Sequence, residues 1–266
     1  GIRKLYTDED FPRAIKCFDE AIKLNSRNHD AYYCKALVYG MQGNNSQAIS
    51  YYNKAIELKS NFADAYNDRG TIYESQGDFA RAISDYDKAL ELDPQNYNAN
   101  YNKGRVYFSQ GNYMQAIMSF SKAIMIEPSI GIAYYNRALC YTYQGNYTQA
   151  IADNSKAILI DPMFSLAFHN RGINYAKQGN FSQAILDYNN ALHLDAHNAS
   201  TYIERGKAYF LQGNLQKAYM DFEKAISIDP NQWQAYYMRG WCYKQRGELE
   251  LANIDFAKSE ALKNQQ

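Results

Sequence analysis

The sequence is short of proline, with five residues in 266, and short of cysteine, with four. No Cys-x-x-Cys pair occurs, which excludes the usual spacing of a zinc knuckle or a redox dithiol. The 28 basic and 28 acidic side chains cancel, which disfavours a nucleic-acid-binding protein with its basic excess. No apolar run approaches the roughly 18 residues of a membrane span, and none follows Gly1 as a signal peptide requires. We therefore expect a cytoplasmic protein without membrane insertion, with widely spaced, buried thiols.

What the sequence has in abundance is self-similarity. Laid out from His29 with a period of 34 residues, the chain gives seven consecutive copies without an insertion or deletion. Gly occupies position 15, Tyr position 11 and Ala position 20 of every copy. We predict a single solenoid domain of seven repeats after a partial repeat, with boundaries at 1–28, 29–62, 63–96, 97–130, 131–164, 165–198, 199–232 and 233–266.

Each copy is predicted to fold as helix, turn, helix. Gly77 stands where a left-handed C-cap favours glycine, and Asn or Asp follows this glycine in six copies as a helix N-cap. Small residues such as Gly70 permit close helix packing, and large ones such as Tyr86 fill the gaps. A Gln three residues after the Asn predicts a capping box in four copies: Asn44/Gln47, Asn112/Gln115, Asn146/Gln149 and Asn180/Gln183. One hairpin cannot bury its apolar face alone, so the copies must stack.

This pattern resembles the tetratricopeptide repeat over the whole chain. The resemblance implies an all-α fold, a right-handed α-solenoid or superhelix, with a concave groove lined by the first helices. It implies a non-enzymatic interaction protein and leaves the ligand unspecified. No phosphate loop, nucleophile elbow or paired-carboxylate constellation occurs, so we predict no catalytic residue and no cofactor. His193 and His197 are four residues apart but have no third ligand in view, so no metal site is predicted.

Positions 7 and 23 of the repeat vary together. Lys35 and Lys103 at position 7 accompany Tyr51 and Ser119 at position 23, whereas the other five copies have Arg with Asp. Because Arg suits a fixed bidentate geometry, we predict a structural ion pair between the two helices of each of those copies. The alternative is a charged track for a ligand. The pairs are Arg69/Asp85, Arg137/Asp153, Arg171/Asp187, Arg205/Asp221 and Arg239/Asp255.

The predicted groove carries a line of polar residues at position 6. Three consecutive asparagines resemble the asparagine ladder of O-GlcNAc transferase repeat domains, which implies that their amides hold a peptide backbone. The alternative is that Asn merely suits a solvated helix face. Position 6 comprises Asp68, Asn102, Asn136, Asn170 and Glu204. The other candidate peptide contacts are Tyr101, Tyr135, His169, Lys207, Tyr237 and Trp241, and we expect the aromatic rings among them to be exposed.

Charge along the groove favours a partner with a basic segment at one end and apolar anchors at the other. Asp30, Asp64 and Glu74 make the early end acidic, whereas lysines lie at the late end beside Trp241. The Lys–Asn spacing of the clamp that binds chaperone carboxyl tails does not occur at the groove positions, which disfavours that ligand.

The two ends of the array differ from its middle. Residues 11–24 are predicted to form a second helix whose first helix is reduced to a stub. Asn253, Ser259 and Glu260 replace apolar residues in the last helix, which is typical of a terminal cap. A targeting arm of a larger enzyme is one alternative function, although the cap argues against an enzyme after residue 266. End-to-end self-association through the N-terminal half-repeat is another.

Asn154 departs from the repeat, because position 24 is Tyr or Phe in every other copy. Either it weakens the packing locally or it marks a hinge. In the first case Asn154→Tyr should raise the melting temperature.

Overall fold

The computed structural model describes residues 10–265, which form fifteen α-helices and no strand. The predicted all-α fold is confirmed. The helices are α1 (Asp10–Leu24), α2 (His29–Met41), α3 (Asn45–Leu58), α4 (Ala63–Ser75), α5 (Phe79–Leu92), α6 (Tyr97–Ser109), α7 (Tyr113–Ile126), α8 (Gly131–Tyr143), α9 (Tyr147–Ile160), α10 (Ser165–Lys177), α11 (Phe181–Leu194), α12 (Ala199–Leu211), α13 (Leu215–Ile228), α14 (Trp233–Gln245) and α15 (Leu249–Lys263). The stub predicted before α1 lies outside the described residues.

The chain divides into two compact units, Gly1–Pro128 and Ser129–Gln266. In the first unit, α1 packs on α2, and the hairpins α2–α3, α4–α5 and α6–α7 follow one another. In the second unit, the hairpins are α8–α9, α10–α11, α12–α13 and α14–α15. Within each unit, the second helix of one hairpin packs on the first helix of the next, which is the arrangement of an α-solenoid.

The turn inside each hairpin depends on glycine. The seven turn glycines have φ between 73° and 81°, a region that other residues rarely adopt. At Gly77 the backbone N–H groups of Gly77 and Asp78 donate to the carbonyls of Glu74 and Tyr73, both at 2.9 Å, which is a Schellman cap. The Asp78 carboxylate then accepts a bond from the Arg81 backbone N–H at 3.0 Å and begins α5.

The four predicted capping boxes are only partly formed. Asn44 and Asn180 accept a bond from the backbone N–H three residues later, each at 3.3 Å. The prediction is wrong for Asn112 and Asn146, whose side chains make no cap bond. The Asn146 amide points instead toward Gln144 Oε1 at 3.5 Å.

In the core of every hairpin except α8–α9, a small residue on the first helix packs against an aromatic ring on the second. A Cβ atom added to Gly70 would lie 2.7 Å from Tyr86 Cε1, closer than atoms pack, so only glycine fits unless the ring moves. The Tyr86 ring is fully buried there. In the hairpin α8–α9 the matching residues are Ala138 and Asn154, which are also fully buried.

The last helix is less polar than predicted. Asn253 and Glu260 are exposed, but Ser259 is only 4% exposed because it packs where the sibling helices have Ala. Leu251 and Ile254 are exposed on the same helix.

The prediction of buried thiols is wrong for one cysteine. Cys17 is exposed on α1, whereas Cys140 and Cys242 are buried.

Candidate functional site

In the first unit, the candidate site consists of side chains on the first helices α2, α4 and α6. The Tyr33 hydroxyl donates a hydrogen bond to Asp68 Oδ2 at 2.7 Å. Asn102 Nδ2 donates to Asn67 Oδ1 at 3.2 Å. Both bonds join position 5 of one repeat to position 6 of the next, so residues 35 apart in the sequence are held side by side.

The same connection occurs in the second unit. Asn170 Nδ2 donates to the Tyr135 hydroxyl at 3.0 Å and to the Leu166 carbonyl at 3.0 Å. One repeat further on, His169 Nδ1 lies 2.8 Å from Thr201 Oγ1, a residue that is fully buried. Neighbouring first helices are therefore joined by polar side chains as well as by apolar packing.

The remaining polar candidates have a different environment. Lys207 Nζ donates to Glu204 Oε1 at 2.7 Å within α12, so each charge is compensated by the other. Asn136 is half-buried on α8.

The predicted asparagine line is thus partly engaged inside the protein. An asparagine amide has two N–H donors and one carbonyl oxygen. The bonds of Asn102 and Asn170 use only their nitrogens, and their Oδ1 atoms make no hydrogen bond within residues 10–265. Sequence reasoning missed the internal partners because position 5 varies among Tyr, Asn, His and Ile and therefore shows no repeat pattern. The geometry leaves the carbonyl acceptor of each asparagine for a ligand, together with one N–H donor on Asn102, which makes a single internal bond.

Three of the four aromatic candidates, Tyr101, Tyr135 and Trp241, are half-buried rather than exposed as expected. The Tyr101 ring packs on Phe120 with centroids 5.7 Å apart, and the Tyr135 ring packs on Phe164 at 4.9 Å. Each tyrosine ring is partly covered because it packs against the ring of a phenylalanine. They contribute packing between elements in addition to any contact with a ligand.

Tyr237 and Trp241 form a more open aromatic cluster on α14. Tyr237 is 43% exposed, and its ring meets that of Trp241 edge-on at 6.3 Å. Both rings rest on Phe256 at 5.7 and 5.8 Å. Lys244 Nζ lies 4.7 Å from the Trp241 ring centroid, so a positive charge adjoins this surface.

Burial shifts the pKa values of Asp68 and His169 in opposite directions. Burial raises the pKa of Asp68, and the hydrogen bonds from Tyr33 and Asn67 only partly oppose this rise. Burial lowers the pKa of His169, with Glu204 acting in the opposite sense. His169 is therefore neutral at pH 7, as suits a hydrogen-bonding residue beside Thr201.

The predicted acidic end is only partly free to attract a basic ligand. Asp30 and Asp64 are exposed. The Glu74 carboxylate accepts a bond from the Tyr86 hydroxyl at 2.8 Å and pairs with Arg105 at 2.9 Å. The carboxylates open to solvent are thus concentrated at the starts of α2 and α4, where Asp30 Oδ1 also lies 3.3 Å from His29 Nε2.

All five predicted Arg–Asp pairs lie within hydrogen-bonding distance. In each pair the guanidinium donates two bonds to the carboxylate, at distances of 2.6 to 2.9 Å. The aromatic ring at position 4 lies 5.4 to 5.8 Å from the guanidinium carbon. Each pair therefore joins the first helix of its hairpin to the second.

The aspartates of these pairs are closed to a ligand, which disagrees with the alternative of a charged ligand track. Asp153 is buried against Arg137 in the hairpin α8–α9, and Asp255 is buried against Arg239 in the hairpin α14–α15. Because their oxygens are covered by the guanidinium and by the helices, these candidates act in packing and not as surface contacts. The other three aspartates are buried in the same way, and the exposed fractions of all five are 3 to 7%: Asp85, Asp153, Asp187, Asp221 and Asp255.

The two lysine repeats pair in the opposite direction, which the sequence analysis did not foresee. Lys35 bonds to Asp19, and Lys103 bonds to Asp87, each on the second helix of the preceding repeat. Position 25 is Asp only in those two preceding copies. Lysine has a single charged nitrogen and bonds to the nearest carboxylate. The guanidinium of Arg171 has several N–H donors, so it bonds to Asp187 of its own hairpin and also to Ser155 of the preceding hairpin at 2.9 Å.

Two fully buried polar residues have hydrogen-bonding environments that the sequence alone does not reveal. Asn174 is fully buried, accepts a bond from Thr142 at 2.9 Å and donates to the Asn170 carbonyl at 2.6 Å. Asn154 donates to the Ala150 carbonyl at 3.0 Å, but its Oδ1 has no partner. An unpaired buried carbonyl destabilises a protein, in agreement with a locally weakened core.

No group of three or more His, Cys, Asp or Glu side chains within residues 10–265 is arranged to hold a metal ion. None of the fifteen described helices has the length and apolar character needed to span a bilayer.

Comparison with known proteins gives consistent results at the level of the repeat. A tetratricopeptide repeat model matches residues 63–96, 131–164 and 199–232. A second matches residues 85–118 and 222–252, and a third, described as TPR repeat, matches 4–43, 41–77 and 174–213. No curated protein matches the chain.

Solved structures of repeat proteins are similar to this one. YrrB, a TPR protein with an unusual peptide-binding site, is 27% identical over 69% of this chain and 95% of its own, with a TM-score of 0.62. MamA is 26% identical over 61% of this chain and 95% of its own, with a TM-score of 0.59. A tetratricopeptide repeat protein from Parabacteroides merdae, 22% identical over 92% of this chain and 93% of its own with a TM-score of 0.60, shares the fold. The repeat pattern, the stacked hairpins and these matches together show that the chain belongs to the tetratricopeptide repeat family.

Proposed function

We propose that the protein is a non-enzymatic interaction scaffold that holds an extended peptide or a partner helix against its first helices. The observation that carries this proposal is that, within each unit, side chains on successive first helices form a row tied in register by bonds between residues 35 apart. A fixed row costs little entropy when a ligand binds, because its side chains are already ordered. The peptide-binding site of YrrB supports the same kind of ligand.

Asn170 would contribute an acceptor, and Asn102 would contribute an acceptor and one N–H donor. An extended peptide offers an N–H group at every residue, and the Oδ1 atoms of Asn102 and Asn170 are not used by their internal bonds. Their internal bonds fix the direction in which these oxygens point. At Asn170 this role differs from the full amide pairing expected from the sequence, because its Nδ2 already makes two internal bonds.

The aromatic cluster on α14 would supply an apolar anchor. Tyr237 is exposed beside Trp241, and Lys244 adds a positive charge. Aromatic residues supported by neighbours are frequent hot spots of protein interfaces. A partner with an apolar residue next to an acidic one fits this cluster.

Capture from a cell lysate followed by mass spectrometry tests the proposal. The variant Asn102→Ala/Asn136→Ala/Asn170→Ala should lose partners that the wild type retains, while circular dichroism shows that it remains helical. The matched control, Asn67→Ala/Tyr135→Phe, removes side-chain partners of Asn102 and Asn170 but leaves both asparagines in place. The control should capture the partners more weakly than the wild type, because the asparagines lose bonds that orient them, but more strongly than the triple variant, which lacks the oxygens altogether. Equal capture by all three proteins would contradict a role for the asparagines.

The exposed aromatic cluster requires a separate variant. Tyr237→Ala/Trp241→Ala should weaken capture of the same partners by at least about tenfold, because two hot-spot rings are removed. Unchanged capture would assign the interface to another surface.

Self-association is a second candidate, favoured by an apolar cavity of about 230 Å³ between α1 and α2. Phe11, Phe18, Leu37 and Val38 line it. Light scattering across a concentration series would detect association as a mass above 30.6 kDa. A constant mass would rule this function out.

A further inference from the structure

The repeat 97–130 differs from its neighbours at three positions that touch one another. Arg69 in the preceding repeat binds Asp85 and lies 5.4 Å from the Tyr66 ring, and four other repeats show the same triad of aromatic ring, Arg and Asp. In 97–130 the triad is replaced by Asn100, Lys103 and Ser119. The aromatic ring and the carboxylate of the triad are therefore both absent from the repeat 97–130.

The replacement leaves a cavity of about 110 Å³ between α6 and α7. The first repeat, which also has Lys at position 7, has a cavity of about 460 Å³ at the equivalent place, but the Tyr51 ring lines it and Lys35 does not. That ring stacks on Tyr39 at 5.4 Å and lies 4.4 Å from Lys35 Nζ. The cavity in 97–130 has polar walls formed by Asn100, Lys103, Tyr107, Gln115, Ser119 and Lys122.

The walls of this cavity are rich in hydrogen-bond donors and positive charge. Ser119 is 7% exposed, and its hydroxyl makes no hydrogen bond within the described residues. Asn100 is 2% exposed and uses its Nδ2 on the Asn96 carbonyl at 3.0 Å. Lys103 is paired with Asp87, whereas Lys122 makes no ion pair among residues 10–265. Ser119, a largely buried residue, thus brings an unpartnered hydroxyl that is open to the cavity, to a site with one uncompensated cation.

We propose that this cavity binds a carboxylate, which takes the place of the aspartate found in five sister repeats. The anion would accept bonds from the Ser119 hydroxyl and from Lys103 or Lys122, as Asp85 accepts from Arg69. Asn100, Lys103 and Tyr107 are spaced three and four residues apart and share one face of α6. Tyr101, Arg105 and Phe108 form the opposite face, so this site is separate from the proposed peptide groove.

Methyl NMR of the full chain labelled with ¹³C-methyl methionine tests the proposal. Met118 lines the cavity, and Met220 occupies the same position 22 in the repeat 199–232, where Arg205 and Asp221 are intact. Titration with sodium acetate against sodium chloride at constant ionic strength should shift the Met118 signal to saturation and leave Met220 unchanged. Equal shifts of both signals, or no shift of Met118, would overturn the proposal.

Two variants make the test independent of folding defects. Ser119→Asp supplies the missing carboxylate and should abolish the acetate-dependent shift. Lys122→Gln, an exposed substitution that spares the core, should weaken the apparent affinity for acetate about fivefold. Unchanged acetate binding in both variants would contradict a site at this cavity.

A transplanted site provides the matched control. Tyr202→Asn/Arg205→Lys/Asp221→Ser recreates the three substitutions beside Met220. The Met220 signal should then acquire a saturable response to acetate. If this variant stays helical and Met220 remains silent, the triad substitutions do not make a carboxylate site.

The source of the carboxylate is distinguished by two blocked amino acids. N-acetyl-glutamate amide carries a side-chain carboxylate, and N-acetyl-glutamine amide is its neutral match. A Met118 shift with the first and not the second assigns the site to an acidic side chain of a partner. A shift with acetate alone assigns it to a small free carboxylate. Equal shifts with both blocked amino acids would show that the site does not recognise the negative charge, which would overturn the proposal.

Discussion

At the scale of single residues, the informative positions are those that break the repeat. Asn154 occupies a place where the other second helices have Tyr or Phe, and its buried Oδ1 has no partner. Ala138 faces it where five other repeats have glycine. In the hairpin α10–α11, a Cβ on Gly172 would lie 2.6 Å from Tyr188 Cε1, so a ring opposite alanine must shift from this position; the buried pair Ala36 and Tyr52 in α2–α3 shows that the core can hold both.

The first prediction concerns this pair. Asn154→Tyr/Ala138→Gly should raise the free energy of unfolding by about 2 kcal/mol, because a ring is buried and an unpaired carbonyl is removed. Asn154→Tyr alone should gain less, since the Ala138 methyl group occupies part of the ring's space. Denaturant titration of the wild type and of the single and double variants measures the order of their free energies of unfolding. A single variant as stable as the double would show that the methyl group imposes no constraint.

The second prediction concerns Asp68. Its raised pKa means that the folded chain retains the proton to a higher pH than the unfolded chain does. Its contribution to stability therefore falls as the pH rises from about 4, the unfolded pKa, through the raised folded value. Asp68→Asn should be more stable than the wild type at pH 7, with the difference vanishing below about pH 4.

The reverse substitution is the control for Asp68. Asn102→Asp places a carboxylate at the same position of the next repeat and should lose stability over the same rise in pH. Denaturation midpoints at several pH values compare the three proteins. A pH-independent difference would show that ionisation at position 6 is not the cause.

At the scale of helices and hairpins, ion pairs connect elements in two ways. Arg171 joins the two helices of one hairpin through the buried Asp187, whereas Lys103 reaches back to the exposed Asp87 of the preceding hairpin. The exposed fractions of the two aspartate side chains are 4% and 54%. We therefore expect the buried pair to contribute more to the free energy of unfolding than the exposed pair.

The third prediction compares these pairs directly. Asp187→Ala should reduce the free energy of unfolding by about 3 kcal/mol, because it leaves the Arg171 guanidinium without its buried carboxylate. Asp87→Ala removes a pair that is open to solvent and should cost about 1 kcal/mol or less. Urea titrations of the two variants test the ranking, and equal losses would contradict it.

At the scale of the whole molecule, each hairpin packs mainly on its sequence neighbours within its unit. The stability of such arrays is approximately a sum of local terms, so damage should remain local.

The fourth prediction follows from this arrangement. Asp85→Ala in the first unit should accelerate amide hydrogen exchange most in α4 and α5, and Asp187→Ala in the second unit most in α10 and α11. The two substitutions are equivalent in the repeat, so each serves as the control for the other. Uniform acceleration throughout the chain in both variants would show global rather than local cooperativity.

The sequence by itself determined the repeat, the helix–turn–helix pattern of each copy and the within-hairpin pairs. These features recur every 34 residues, and each depends on local chemistry, such as the positive φ at Gly77 or the 16-residue separation of Arg171 and Asp187. Only the tertiary structure decided which side chains meet between repeats. The bond from Asn102 to Asn67, the turn of Lys103 toward Asp87 and the cavity beside Ser119 depend on residues that vary from copy to copy. Such contacts leave no period in the sequence, because their geometry exists only once one hairpin has packed on the next.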